Sequence, residues 1–284
     1  MKAKRRKVDI VVLSDIHLGT YGCSATELHR YLKRINPKKL ILNGDIIDMW
    51  QFSKHYWPKS HMKIIKQILN FASKQTEVYY ITGNHDETLR RFAGTSMGNL
   101  KIVNNLELTI NGKKTWFLHG DIFDGVIKHA KWLAKLGAYS YDALIILNVF
   151  INYVSKLLGR GRVSLSQTVK DNVKSAVKFI NNFESTVAEI AIKRSCDTVI
   201  CGHIHHPENK LITIEGETIQ YLNSGDWVEN LTALECNDGI WRIYKYNDEL
   251  HQQNLEPEKD DEEHNILYLK NNDIALNMLE ELQL

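Results

Sequence analysis

The sequence predicts an α/β fold in which polar residues gather where strands open into loops. Five short runs of apolar, often β-branched residues have the composition of buried strands, and the long stretch between the fourth and fifth of them has helical character. Each run leads directly into a motif with Asp, Asn or His: DIH at 15–17, GDIID at 44–48, GNHD at 83–86, HGD at 119–121 and GHIH at 202–205. We therefore expect these side chains along one rim of a sheet.

The predicted elements follow one another in a simple order. The strand runs are VDIVVLS at 8–14, KLILN at 39–43, VYYIT at 78–82, TWFL at 115–118 and DTVIC at 197–201. Helices are predicted at 128–136, 139–158 and 165–194. The most apolar of these, 143–154, is too short to span a membrane, which takes about 20 apolar residues, and contains Asn148 and Asn152.

The motif residues have the chemistry of a site with two divalent ions, spaced roughly 3.5–4 Å apart and able to clamp a phosphoryl group. A bridging ligand must touch both ions, which favours a carboxylate, and we assign this role to Asp45. Asp15 and His17 would bind one ion, while Asn84 and His119 would bind the other. His203 and His205 would complete the two sets, in an order that spacing does not decide.

This mixed ligand set favours particular metals. Carboxylate, amide and imidazole together suit Mn, Fe or Zn better than Ca, and also tolerate Mg and Co. We expect Mn. The absence of a thiol argues against a structural zinc site. Taken alone, any single motif is more often an ordinary turn, since Gly, Asn and Asp tolerate left-handed backbone. The ordered set of five favours the metal site.

The order DxH, GDxxD, GNHD, HGD, GHxH resembles the calcineurin-like metallophosphoesterase superfamily. The resemblance extends from Asp15 to His205 and implies a four-layer αββα sandwich of two mixed sheets, here with an inserted helical cap. It also implies that His205 joins the ion of Asp15 and His17, and that His203 joins the ion of Asn84 and His119.

The sequence around the motifs has a narrower resemblance, to the UDP-2,3-diacylglucosamine hydrolase group of lipid A synthesis. It is carried by GDIIDMWQF at 44–52, HGDIFDG at 119–125, VSLSQTVKDNVKSAVKFINNFE at 163–184, GHIHHP at 202–207 and NSGDWVENLTAL at 223–234. The group cleaves a lipid-linked UDP to UMP and an acylated sugar phosphate. The best-studied branch has Arg where this chain has His85. Arg offers phosphate a bidentate fork, whereas His can donate a proton.

These features predict a mechanism in which a metal-bridging hydroxide attacks phosphorus in line. Asn84 and His85 are the expected catalytic residues, holding or protonating substrate oxygens, with Asp48 or Asp86 orienting their neighbours. His206 is expected in the pocket wall or behind the metal ligands. Asp121 and Asp124 either orient His119, contact the substrate or cap the first cap helix. Further substrate contacts are expected from four residues, although Lys170 and Lys174 equally fit a solvated stripe: Asp124, Ser166, Lys170 and Lys174.

The chain of 284 residues is expected to divide into a core, a cap and a tail. The core is predicted at 1–125 and 185–247, the helical cap at 126–184, an acidic linker at 248–264 and an amphipathic helix at 265–284. The apolar part of the cap either lines an acyl-chain groove or packs on neighbouring helices. The tail docks on its own domain or on a second subunit, which would make a homodimer.

Composition favours a cytoplasmic enzyme. The four cysteines form no CxxC pair, and the basic start of the chain lacks a signal-peptide core, so export is not expected. Five cations among residues 2–7 are either solvated or contact anionic lipid at the inner membrane surface. A net charge of +2 without a basic stripe argues against nucleic acid as a partner. A phosphoesterase for soluble nucleotides, a nuclease and a non-catalytic scaffold are the competing classes.

Overall fold

The fold is seen in a computed structural model that describes residues 5–51, 56–124 and 170–247, with the side chains of 170–178 outside the description. Within these ranges the chain forms two mixed sheets. The first has the strand order β12-β11-β1-β2-β3-β5-β4, and its strands are β1 Arg6–Leu13, β2 Ile35–Asn43, β3 Glu77–Ile81, β4 Ser96–Met97, β5 Leu100–Val103, β11 Thr232–Asn237 and β12 Ile240–Lys245. The second has the order β6-β7-β8-β10-β9, with β6 Leu106–Ile110, β7 Lys113–Phe117, β8 Thr198–Cys201, β9 Glu208–Ile214 and β10 Glu217–Asn223.

The helices cover the outer faces of the sheets. They are α1 Ala25–Arg34, α2 Lys59–Ala72 and α3 Lys170–Lys193, and short 3-10 helices occupy Glu87–Phe92 and Asp121–Phe123. In the described part of the chain, no helix combines the length and the hydrophobicity that a membrane crossing requires.

The alternation of side chains in β1 separates two layers of core. Val11 and Leu13 belong to an apolar cluster with residues of α1 and α2, whereas Ile10 and Val12 belong to a cluster with Phe117, Ile200 and Leu222 of the second sheet. This is the period-two pattern of a strand buried on both faces. The second sheet contacts α3 through a third cluster that includes Trp116, Val199, Phe183, Val187 and Ala191. The layers therefore run helix, sheet, sheet, helix, which confirms the predicted αββα sandwich.

Parallel pairing brings the motif ends together. Strands β1, β2 and β3 are parallel neighbours, as are β7, β8 and β10. Because parallel strands end at the same edge of a sheet, the loops that follow β1, β2, β3, β7 and β8 open at one rim. All five predicted strands are present at the expected places.

The predicted domain boundaries remain predictions. The boundary at 184/185 falls inside the continuous helix α3. Phe183 and Glu184, assigned to the cap, are buried, and Phe183 packs in the same cluster as Val187 on the second sheet. The remaining cap, the linker at 248–264 and the tail at 265–284 lie outside the described residues.

Candidate metal centre

Among the described residues, two of the groups of ligand atoms consist entirely of predicted metal ligands at the strand ends. In one, an atom from each of Asp15, His17 and His205 lies within 4.8 Å of the others. In the second, Asp45, His119 and His203 do the same. These are the pairings of histidines that the resemblance implies, and we propose that each group, with Asn84 added to the second, holds one divalent ion.

The first group has an arrangement that suits a cation. His17 Nε2 and His205 Nε2 face one another at 3.4 Å, and His205 Nε2 lies 3.1 Å from Asp15 Oδ1. Asp15 is fully buried, and the angle to His205 is not that of a hydrogen bond, so Asp15 Oδ1 has no hydrogen-bond partner among the described residues. A buried carboxylate oxygen without a donor costs free energy that a bound cation would offset. The residues present therefore fit a metal ion.

The second group centres on His119. Its Nε2 lies 3.2 Å from Asp45 Oδ2 and 3.3 Å from Asn84 Oδ1. The ring of His203 is 5.1 Å from that of His119, but His203 Nε2 lies 2.9 Å from Asp124 Oδ1. Asp124, predicted as a substrate contact, thus meets a proposed metal ligand directly.

Asp45, the predicted bridging ligand, belongs to the second group, and its charge also interacts with that of His17 in the first. Its Oδ1 accepts a hydrogen bond from the His85 backbone N–H at 2.9 Å, while Oδ2 faces His119. Burial by itself would raise the pKa of Asp45, but the charges of His119 and then His17 hold that pKa well below its usual range. The carboxylate therefore stays ionised and available to a cation.

Neighbouring acceptors orient two of the imidazole rings. His17 Nδ1 lies 3.1 Å from Asp48 Oδ2, and His119 Nδ1 lies 2.9 Å from the Asn43 carbonyl oxygen. Because a carbonyl oxygen only accepts hydrogen bonds, Nδ1 of His119 carries the proton. Nδ1 of His17 also carries a proton, because it faces the ionised Asp48 carboxylate. Nε2 of each ring is left for a metal, the usual way in which outer contacts fix a ligand's tautomer.

The backbone at five of the proposed ligands is left-handed. The φ angles are 52° at Asp15, 53° at His17, 54° at Asp45, 69° at His203 and 52° at His205. Such angles are uncommon outside glycine, and clusters of them occur at functional sites where the surrounding structure holds them in place. Here the backbone N–H groups of Asp15 and His17 donate to the carbonyls of Gly44 and Asp45 across the strand ends.

Two motif glycines are required for different reasons. Gly44 has φ of +85°, and a Cβ there would lie 2.3 Å from His119 Nδ1. Gly83 does not have a positive φ, yet a Cβ there would lie 2.2 Å from Asp45 Oδ1. The interpretation of Gly83 as a turn residue is therefore incomplete, because the close approach to Asp45 also excludes a side chain.

The electrostatics of both groups favour positive charge. Burial alone would lower the pKa of His205, but Asp15 raises it to about 9. Burial likewise disfavours a charged His119, and Asp45 nonetheless raises the pKa of His119 well above its usual range. The negative potential that would hold these protons is the potential that attracts divalent ions, which would replace the protons on binding.

His85 lies beside the first group, in contact with Asp48. Its Nδ1 is 2.8 Å from Asp48 Oδ2, a charge contact whose angle does not make a hydrogen bond, and its ring is 4.7 Å from that of His17. Burial works to lower the pKa of His85, but Asp48 and Asp45 outweigh it and raise the pKa. Asp48 thus contacts both His17 and His85, which agrees with the predicted orienting role. Asp86 instead accepts from Tyr80 Oη and from the backbone of Ile46 and Gly83.

Of the other predicted residues, three lie wholly or partly outside the description, and His206 belongs to neither group. Ser166 lies outside the described residues, as do the side chains of Lys170 and Lys174, whose backbone belongs to α3. His206 is exposed and lies close to Glu184 and Glu208.

Sequence reasoning missed several contacts of the site. Arg90 pairs with Asp121 and donates to the Gly83 carbonyl at 3.2 Å, so it links the GNHD and HGD loops. Asn230 Nδ2 donates to the His205 carbonyl at 2.8 Å, and the Trp227 N–H donates to that of Asp15 at 3.1 Å. For Trp227 and Asn230 the available signal was the NSGDWVEN segment at 223–230, which carries part of the narrower resemblance but contains no predicted site residue.

Similarity to curated proteins extends over most of the chain. A protein of Blochmanniella pennsylvanica named UDP-2,3-diacylglucosamine hydrolase is 24% identical over 236 residues, covering 81% of this chain and 93% of its own. One of the same name from Aeromonas salmonicida is 23% identical over 234 residues, covering 81% and 91%. The solved structure of Yfce, a phosphoesterase from E. coli, is 12% identical and covers 84% of this chain and 99% of its own, with a TM-score of 0.40, too distant to bear on the activity.

The sequence profile of the family described as Calcineurin-like phosphoesterase matches residues 8–207. That range contains every motif that contributes to the two groups of ligand atoms. The chain therefore belongs to the calcineurin-like phosphoesterase family and is a metal-dependent phosphoester hydrolase of the dinuclear type.

Proposed function

We propose that this enzyme hydrolyses the diphosphate of a nucleotide-linked lipid, converting UDP-2,3-diacylglucosamine to UMP and 2,3-diacylglucosamine 1-phosphate. The observation that carries the proposal is the pair of ligand groups beside Asn84 and His85 at the strand ends. The curated relatives, which match this chain over four fifths of its length, are named UDP-2,3-diacylglucosamine hydrolase. A hydrolase for soluble nucleotides or simple diesters would use the same metal groups and is the competing function.

The proposed metal ligands are Asp15, His17, Asp45, Asn84, His119, His203 and His205. Two divalent ions bound there would supply charge neutralisation for the phosphoryl oxygens and an activated water as nucleophile. The donor set suits Mn, our first choice, and also Mg, Fe, Zn or Co.

The protein's own residues would do the remaining work. The Asn84 amide can hold a phosphoryl oxygen, since its Oδ1 faces His119 and its Nδ2 is a donor. His85 has Nδ1 turned to Asp48, so Nε2 is the atom that would donate a proton to the leaving phosphate oxygen. Asp48 and Asp124 act as positioning residues through His17, His85 and His203.

The lipid substrate also motivates a cellular setting. We propose a cytoplasmic enzyme that contacts the inner membrane surface peripherally, with basic residues near the N-terminus attracted to anionic lipid. Of these residues, Arg6 is engaged by Glu235 through two hydrogen bonds of 2.5 and 2.7 Å. Ser166, Lys170 and Lys174 remain proposed substrate contacts, and dimerisation through the tail remains a proposal.

The test is Mn-dependent hydrolysis by the purified full-length protein. UDP-2,3-diacylglucosamine, UDP-sugars without acyl chains and bis-p-nitrophenyl phosphate are compared, and products are identified by mass. Formation of UMP and the acylated sugar phosphate from the lipid alone supports the proposal. Cleavage of the simple diester with the lipid nucleotide untouched would refute the substrate while keeping the metal centre.

A further inference from the structure

Trp50 is an exposed aromatic residue next to the metal centre. Its side chain is 56% exposed, and it comes two residues after Asp48 of the GDIID motif. Single exposed apolar residues are common and need no explanation by themselves. Trp50 differs because its indole lies against the ring of His85, with centroids 4.2 Å apart and planes 33° from parallel.

The backbone of Trp50 is held by the carboxylate that orients the histidines. Asp48 Oδ1 accepts hydrogen bonds from the backbone N–H groups of Trp50 at 3.0 Å and Gln51 at 2.9 Å. The other oxygen, Oδ2, contacts His17 and His85. The start of this loop is therefore fixed relative to the rings beside the first ligand group.

The rings of His17, His85 and Trp50 form a short series leading away from the metal centre. His17 and His85 are 4.7 Å apart and His85 and Trp50 are 4.2 Å apart, so the indole lies within about 9 Å of His17. A ribose bridges a gap of this size between a phosphate at the metals and a base at the indole. Because half of the indole surface is open to solvent, a second planar ring can stack on it.

We propose that Trp50 is the stacking platform for the base of the substrate's nucleotide, and that it makes the site prefer nucleotides over other phosphate esters. The inference rests on the proposed function insofar as a nucleotide is part of the substrate. A base suits this position better than an acyl chain. An acyl chain gains most in an enclosed apolar groove, whereas the described residues around Trp50 leave its side chain 56% exposed and include Asp48 and His85. Stacking on an open aromatic face is how proteins hold bases without reading their edges.

The test compares two ligands that differ only in the base. UMP and ribose 5-phosphate are titrated by calorimetry into the Mn-loaded full-length protein, in the wild type and in Trp50→Phe, Trp50→Ala and Phe92→Ala. Phe92 is a matched control, since it is 42% exposed and the Arg91 guanidinium lies over its ring. We expect the wild type to bind UMP about 10-fold or more tightly than ribose 5-phosphate. Trp50→Ala should bring this ratio close to one, with ribose 5-phosphate unaffected, while the other two variants keep most of it.

Two results would overturn the inference. One is a ratio near one in the wild type, or a ratio that survives in Trp50→Ala. The second is equal weakening of both ligands by Trp50→Ala, which would mean that the indole only supports His85 or the loop. The proposed lipid substrate is judged separately by the hydrolysis assay. A Trp50-dependent base preference without lipid cleavage would keep this inference and refute that substrate, and lipid cleavage with a ratio near one would do the reverse.

Discussion

Replacing Gly83 by Ala should disable the metal centre while leaving the fold in place. The added Cβ would lie 2.2 Å from Asp45 Oδ1, 2.7 Å from the Asp45 backbone nitrogen and 2.8 Å from His119 Cδ2. Ordinary contacts begin near 3.4 Å, so the Asp45 carboxylate must move by about 1 Å. A misplacement of this size costs about 100-fold in rate when it affects groups that position the reaction. The accompanying overpacking should lower the free energy of unfolding by about 1–3 kcal/mol.

The assay combines kcat/KM for bis-p-nitrophenyl phosphate with Mn binding by calorimetry and unfolding in urea. Gly216→Ala is the matched control. Gly216 lies in the turn between β9 and β10 with φ of +89°, and no described atom lies within 4 Å of its added Cβ. The control should lose about 1 kcal/mol of stability from backbone strain and keep its activity. If Gly83→Ala kept its Mn affinity and its rate within about threefold of the wild type, the close approach to Asp45 would not be essential.

Three further predictions address the rest of the site and the fold. Asp48→Asn keeps the shape of the side chain but removes the charge beside His17 and His85, and should weaken Mn affinity or activity by about 10- to 100-fold. An unchanged Mn affinity by calorimetry together with an unchanged kcat/KM would contradict the orienting role. Removing metal with EDTA should lower the Tm, and Mn at 100 times its Kd should restore about 2.7 kcal/mol of stability. A Tm that does not change on adding Mn would argue against a native metal site. Burial lowers the pKa of His61 to about 4, and its ring nitrogen accepts from the Gly19 N–H at 3.0 Å. The neutral ring therefore stabilises the fold above pH 6.5, and this contribution should fall by up to about 1.4 kcal/mol per pH unit between pH 6.5 and 4. His61→Gln, which retains an acceptor, should show a shallower loss of unfolding free energy over that range in urea titrations, and equal slopes would refute the assignment.

The sequence predicted the strands that lead into the motifs because buried parallel strands are short, apolar and rich in β-branched residues. It predicted neither α1 nor α2, nor the edge strands. In β9 and β12 many residues are partly exposed, as expected for edge strands, and the apolar signal is correspondingly weak. The grouping of Asp15 with His205 came from the family resemblance. These residues are far apart in the sequence and meet only because the two sheets pack against each other.

Contacts made by loops were the least predictable part of the site. His203 meets Asp124, and His85 meets Trp50, because particular turns bring them together. Spacing along the chain carries no information about such turns.

The left-handed backbone at five proposed ligands has a practical consequence for engineering. Glycine adopts such angles without the steric cost that Asp and His incur. Exchanging one of these ligands for glycine would therefore relax the local backbone, and at Asp15 it would also remove a buried carboxylate oxygen that has no hydrogen-bond partner among the described residues. Such variants are expected to accumulate in cells at least as well as the active enzyme. A screen that ranks variants by yield alone would then select proteins that fold well and have lost the metal centre.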